Sequence, residues 1–402
     1  MSGDGGGPPR LGFEVLALCL VSLLCFCNLA IFYGFYNYLE HLNIDPALRG
    51  PLLALEPLTA LALRPYLSTR LTLGNSVAAM GLGIGLAVLA LASYPVATAA
   101  PALAAVRVLH GAGYVILASG LMTAFTHLIP PGRVAQAYGL LSLTTLLPSA
   151  LMPPFVEAVT PHLPGPGWAY AMAAPLMLVT APLLLPVARK VRALLVELAP
   201  GQDARPGWSE VLRGLKAPGV RTLLAGQLLL ISGHTIVYFF MKSWALHIGA
   251  GNPGLFFTCV NLSTIAVRVL GMEQLDRLNP ARTTGLALLF LAGLVPMFSL
   301  AESEAALLGL AVPFGAALGL MMPLVNAAMY RVSPEHLRAA NANLLLVALD
   351  AGFILGPVIG GHMLAAGASL PLLFTVCGGV LLLGGLCVLP VARQTPAQGK
   401  AA

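Results

Sequence analysis

The sequence predicts an all-α polytopic membrane protein: twelve transmembrane helices arranged as two pseudo-symmetric six-helix bundles. Three observations carry that expectation. Of 402 residues, 58% are hydrophobic and only 9% charged, too few charges to cover the surface of a soluble protein of this length. Apolar runs of about 17 to 28 residues recur along the chain, each long enough to cross a hydrocarbon core of about 30 Å. Anchors in the first half also return in the second at a nearly constant offset. Arg64 and Arg268 are 204 residues apart, Arg133 and Arg338 are 205 apart, and Pro153-Pro154 and Gly356-Pro357 are 203 apart. A duplicated helical bundle in a membrane is the architecture of secondary transporters.

Taken in order, residues 1–11 read as a disordered cytoplasmic tail rich in Gly and Pro. The apolar stretch that follows is too long for the core of a cleavable leader and is taken as the first span. The twelve runs are 12–37, 48–64, 74–94, 99–128, 134–158, 166–188, 219–244, 253–275, 281–300, 303–328, 338–365 and 369–391. Residues 12–188 thus form an N-terminal bundle and 219–391 a C-terminal one. The one long polar segment, 189–218, carries Arg189, Lys190, Arg192, Glu197, Asp203, Arg205, Glu210, Arg213 and Lys216. Its mixed charge fits an amphipathic linker lying on the cytoplasmic surface. Residues 392–402 close the chain as a second cytoplasmic tail.

Charge placement orients the molecule. With the N-terminus inside and the spans alternating, 17 of the 21 Lys and Arg residues fall on the cytoplasmic side. Arg49, Arg107, Lys242 and Arg268 are the exceptions, and only Arg49 among them is expected in an outer loop. That bias follows the positive-inside rule and supports an even number of spans with both termini in the cytoplasm; the location expected is a bacterial inner membrane, crossed many times. The net charge of +6 is therefore a topology signal, and nucleic acid is not expected as a partner. The six cysteines (Cys19, Cys25, Cys27, Cys259, Cys377 and Cys387) all lie in apolar runs, as small buried thiols do. Neither a metal site nor a disulfide is expected. No cofactor is expected either, and no phosphate-binding Gly-x-x-x-x-Gly-Lys loop is present.

Ionisable residues inside apolar spans are costly unless paired or wetted, so each is a site candidate. Glu56 lies about eight residues into helix 2 and Asp350 about twelve into helix 11, which places both ~12 Å below the outer face at 1.5 Å per residue. Arg107 lies deep in helix 4, with His110 three residues on along the same face. Lys242, near the outer end of helix 7, either snorkels to the headgroups or turns inward to attract an anion. Arg268 reads as a structural tie two turns above Asp276. Uncharged polar and aromatic residues offer a cavity wall: Asn28, Tyr33 and Tyr36 in helix 1, Tyr114 in helix 4, His234 and Tyr238 in helix 7, and Asn326 in helix 10. Single polar residues of this kind also glue helices together.

Several of these residues carry a resemblance to the major facilitator superfamily. Arg268, Asp276, Arg277 and Arg282 resemble the family's loop signature, an Asp-Arg pair with further basic residues that latches helix ends at the cytoplasmic face. In the first half Thr72 stands where Asp276 stands in the second. Arg107-Val108-Leu109-His110-Gly111-Ala112-Gly113 resembles the family's Arg-x-x-x-Gly-x-Gly pattern, whose Arg is associated with proton coupling in many members. Asp350-Ala351-Gly352, Gly356-Pro357 and Gly360-Gly361 look like the glycine-rich stretch of drug- and sugar-exporter branches. Helix 5 has Met152-Pro153-Pro154 where exporters usually carry Gly-Pro. The resemblance implies helices 1, 4, 7 and 10 around a central cavity, and helices 2 and 11 facing each other. There Glu56 and Asp350 are expected to approach, and two carboxylates in a low dielectric share a proton. Asp350, Glu56, Arg107 and His110 are thus the proton-coupling candidates. Asn28, Tyr33, Tyr36, Tyr114, His234, Tyr238, Lys242 and Asn326 are the substrate-binding candidates.

The function expected is alternating-access secondary transport of a small organic solute, proton-coupled and directed outward, by a monomer among membrane lipids. Two other classes compete. A transporter-like sensor or assembly factor would move nothing. An integral-membrane lipid enzyme would need a cluster of His, Asp or Glu near an interfacial loop, and the eight histidines are scattered.

Overall fold

The computed structural model describes residues 11–129, 134–197, 218–270, 278–334 and 337–394. Twelve helical rods appear among them, one for each apolar run. They are α1 (Phe13–His41), α2 (Pro46–Arg70), α3 (Leu73–Ser93), α4 (Ala100–Leu128), α5 (Val134–Val159), α6 (Trp168–Ala171, Ala173–Leu178 and Thr180–Glu197), α7 (Pro218–His247), α8 (Leu255–Leu270), α9 (Pro280–Met297), α10 (Glu304–Val332), α11 (Arg338–Ala365) and α12 (Leu370–Val388). Ten are long and apolar enough to cross a membrane. The other two are α8, which is shorter, and α2, which carries Arg49, Glu56, Arg64 and Arg70.

The helix ends follow local chemistry. Asn43 adopts φ 54°, a left-handed turn that Asn tolerates, and Asp45 then accepts a hydrogen bond from the Ala47 amide at 2.9 Å. With Pro46 as first helical residue, this starts α2. Thr72, the departure from the latch signature, N-caps α3 in a capping box with Asn75. Asn279, 204 residues after Asn75, caps α9 by accepting from the Arg282 amide at 2.9 Å. Asn75 is the third residue of its helix and Asn279 the cap of its own, so the two helix starts differ by three residues in the repeat. Ser303 and Ser369 cap α10 and α12 in the same way.

Two rods are interrupted. A single 3-10 turn, Ile31–Gly34, breaks α1. The breaks in α6 at Met172 and Val179 each precede a proline, Pro175 and Pro182, whose missing N–H leaves the turn before it without a partner. The last piece of α6 runs to Glu197, past the expected end at residue 188, so the segment read as linker begins as helix. Arg49, expected in a loop, sits in the first turn of α2.

The chain divides into two compact units. The first comprises residues 1–32, 62–152 and 162–204, with α3 packed on α4 and α6, and α1 on α6 and α4. Its tightest seam is glycine on backbone: a Cβ on Gly83 would meet the Leu117 amide nitrogen at 2.6 Å, and one on Gly113 the Ala87 nitrogen at 2.7 Å. The second comprises residues 33–61, 153–161 and 205–402, with α7 packed on α11 and α12, α8 on α10, and α9 on α10 and α12. The glycine face of α11 runs along α7, where a Cβ on Gly352 would lie 2.6 Å from Ile231, and then onto α2, where one on Gly50 would lie 3.0 Å from the Gly361 Cα. Such backbone contact is how helices associate when lipid supplies no hydrophobic drive between them.

Candidate functional site

The second unit holds an ion pair inside apolar helices. Glu157 is the one acid in α5, and Lys242 lies five residues before the end of α7. Lys242 Nζ donates to Glu157 Oε1 at 2.5 Å, and the Tyr33 hydroxyl donates to the same oxygen. The two charged side chains are 18% and 17% exposed. The 3-10 turn of α1 makes this possible. Gly34 leaves room for the lysine stem, since a Cβ there would lie 3.0 Å from Lys242 Cδ, and the ammonium sits 5.4 Å over the Tyr33 ring. Phe257 of α8 meets both Tyr33 and Tyr238 edge-on, at 5.4 and 5.5 Å between centroids, and His234 lies 6.4 Å from Tyr238. The end of α5 is fixed from the other side. Asn252 donates to the Pro154 carbonyl at 3.2 Å, and Gly254 packs so closely on Pro153 and Pro154 that no Cβ would fit. The Pro-Pro step is thus what seats Glu157.

The arrangement answers the question left open for Lys242: it turns inward, onto an acid. Glu157 was missed by the sequence reading because it stands at the edge of its run. The rule that selected Glu56 and Asp350, an ionisable residue in an apolar segment, was enough to find it.

The first unit holds a second polar cluster. Arg107 is 1% exposed, with its guanidinium 5.3 Å from the centre of the Phe32 ring. Phe32 stacks on Tyr170 at 4.5 Å and meets Tyr94 and His110 at 5.2 and 5.0 Å. Asn28 Nδ2 lies 3.0 Å from His110 Nε2, and both residues are buried. His110 Nδ1 and Asn28 Oδ1 have no hydrogen-bond partner among the described residues. The sequence candidates Asn28, Arg107 and His110 are therefore neighbours, bound into an aromatic box.

The remaining candidates are more dispersed. Asp350 is buried at 8% exposure in α11, and Glu56 is half-buried in α2. Both belong to the second unit. Helices α2 and α11 meet at Gly50 and Gly361. Counting from that contact at 1.5 Å per residue, Glu56 lies ~9 Å and Asp350 ~16 Å further in, so their side chains would have ~7 Å of axial offset to span. Tyr36 is buried against Phe240, Tyr114 is half-buried, and Asn326 is exposed with its amide donated to the Met322 carbonyl. Arg268 lies in the last turn of α8 with Nε unpartnered among the described residues, while Asp276 and Arg277 lie outside the described residues.

Fold and buried polar clusters together define a multi-pass α-helical membrane protein with ionisable side chains held inside its spans. The sequence profile of the Major Facilitator Superfamily matches residues 18–284 and 223–402, and the chain belongs to that family. Among curated proteins it is similar to the quinolone resistance protein NorA of Staphylococcus aureus, at 29% identity over 128 residues in strain MRSA252 and 28% in strain Mu50. These matches span 32% of this chain and 33% of the relatives. Among solved structures it resembles the nucleoside transporter NupG (TM-score 0.73, 14% identity, covering 94% of this chain and 98% of that one). It also resembles the peptide transporter POT in complex with sulfate (0.69, 13%, covering 98% and 97%). At such identities the likeness is one of fold.

Proposed function

We propose that this protein is a secondary active transporter that moves a small organic solute by alternating access, coupled to protons and working as an exporter. The observation that carries this reading is the Glu157–Lys242 pair. Ionised groups in apolar spans cost several kcal/mol and add little to stability, so a pair held by one hydroxyl and set among aromatic rings reads as working machinery. It also joins α5 to α7, helices from opposite sequence halves, through contacts that can be remade. The similarity to a quinolone resistance protein favours export over uptake.

In this reading the halves 12–188 and 219–391 are the moving bundles of a monomer in a bacterial inner membrane, with both termini cytoplasmic. Asp350, Glu56, Arg107 and His110 are the proton-coupling residues, and Tyr33, Tyr238, His234 and Lys242 face the solute. Proteoliposomes loaded with a fluorescent quinolone and given a pH gradient test it. Flux should follow the gradient in the wild type and lose that dependence in Asp350→Asn, while exchange at equal pH persists. Wild-type flux indifferent to the gradient sinks the coupling, and unchanged gradient dependence in Asp350→Asn removes that residue from it.

A further inference from the structure

About two helical turns beyond Tyr33 on α1, a second ion pair borders an open cleft of about 460 Å³, within the size range of small-molecule pockets. Its walls include Tyr36 and Glu40 of α1, Arg49 of α2, Ser243 of α7, Leu364 of α11 and Leu370 of α12, all in the second unit. Arg49 is the fixed element. Its Nε donates to the Ile44 carbonyl at 2.9 Å and its Nη1 to Glu40 Oε1 at 3.0 Å, and its guanidinium lies 5.7 Å over the Tyr36 ring. The Arg49 side chain is 11% exposed and that of Glu40 is 55% exposed. The first is therefore an anchor in the wall and the second a movable rim group. Arg49 also shares a side-chain hydrogen bond with Tyr36. A guanidinium has five N–H donors, and these three bonds leave capacity for an incoming anion. Ser243 accepts from Asn37 at 3.1 Å, so its own hydroxyl remains to donate.

We propose that this cavity binds a zwitterionic amphipath, with its anionic group on Arg49, its ammonium on Glu40 and its apolar body on Leu364 and Leu370. The argument is charge conservation at a half-dry site. An anion alone would displace Glu40 without supplying the cation that carboxylate loses. A cation alone would leave Arg49, the more buried partner, without a counter-charge. A ligand carrying both signs at amino-acid spacing replaces each partner for the other. Bidentate recognition of a carboxylate or phosphate also suits arginine better than lysine. The same chemistry is offered by a free amino-acid-like solute and by a phosphatidylethanolamine headgroup. The proposal is independent of proton coupling and of the direction of transport.

The test is thermal stabilisation of the purified full-length protein in nanodiscs by three probes that share one apolar tail: leucine, isoamylamine and isocaproate. Bound ligand raises the apparent melting temperature by mass action. In phosphatidylcholine nanodiscs leucine should stabilise saturably, and the two singly charged analogues should bind at least about tenfold more weakly. Glu40→Gln, which keeps a hydrogen-bond acceptor for Arg49 at an exposed rim position, should abolish the preference for leucine, and Arg49→Met should abolish binding of leucine and isocaproate alike. Wild-type protein that leucine stabilises in phosphatidylcholine but not in phosphatidylethanolamine identifies the headgroup as the competing occupant and supports the site. Three results overturn it: equal binding of leucine and either analogue, a leucine effect that survives Glu40→Gln and Arg49→Met, or no stabilisation of the wild type by leucine or by phosphatidylethanolamine.

Discussion

Replacing Lys242 with methionine removes the cation from Glu157 while keeping the length and apolar character of the side chain. The carboxylate then stays 17% exposed with the Tyr33 hydroxyl as its remaining donor. Breaking one side of a fully buried pair costs about 3–5 kcal/mol. A hydrogen bond to a charged group is worth about 1.5–3 kcal/mol, and together with the residual exposure it trims the expected loss to about 2–3 kcal/mol. The double variant Lys242→Met with Glu157→Gln removes both charges. Because a pair replaced on both sides by neutral groups of similar size is often neutral or stabilising, that variant should lie within about 1 kcal/mol of the wild type. The cycle therefore predicts a coupling of at least about 1 kcal/mol, above the few tenths expected of independent sites.

Equilibrium unfolding in bicelles, followed by tryptophan fluorescence and by circular dichroism, measures all four corners. Coupling indistinguishable from zero would refute the reasoning, because it would mean that the ammonium and carboxylate do not sense each other. A double variant as unstable as Lys242→Met would refute it differently, by showing that the loss is one of packing around Gly34.

Other consequences can be read from the same measurement. Gly83→Ala places a Cβ 2.6 Å from the Leu117 nitrogen and should destabilise by about 1–3 kcal/mol through overpacking. Gly81→Ala in the same helix meets nothing within 4 Å and should be neutral or stabilise by up to about 1 kcal/mol through helix propensity. Equal effects at the two positions would remove the glycine seam from the account. Thr72→Ala dissolves the α3 capping box and should cost about 1 kcal/mol, with faster hydrogen exchange confined to the first turn of α3. Asn28→Val leaves the buried His110 ring without its amide neighbour and should cost about 1–3 kcal/mol. A smaller loss means that solvent reaches the ring.

The sequence reading located every rod, because a span must be long, apolar and bounded by polar turns, and those properties are local. It also found the two-fold repeat, although the caps Thr72 of α3 and Asn279 of α9 stand three residues out of its register. It did less well where an element's behaviour depends on a residue one turn away. Periodicity and hydropathy do not show the breaks in α6 before Pro175 and Pro182, nor its continuation to Glu197.

The polar clusters divide along the same line. Arg107 and His110 share a helix face, so their proximity follows from a spacing of three. Glu157 and Lys242 are 85 residues apart, and their meeting depends on a 3-10 turn in a third helix, a Pro-Pro step in α5 and a glycine in the α7–α8 turn. None of these announces a partner in the sequence. The turn places Tyr33 and leaves room at Gly34 for the lysine, while Gly254 and Asn252 hold the Pro-Pro step that precedes Glu157. A helix tolerates lost hydrogen bonds and unfilled glycine positions where the backbone must bring a distant charge into register, and here those irregularities accompany the meeting of Glu157 with Lys242 and Tyr33.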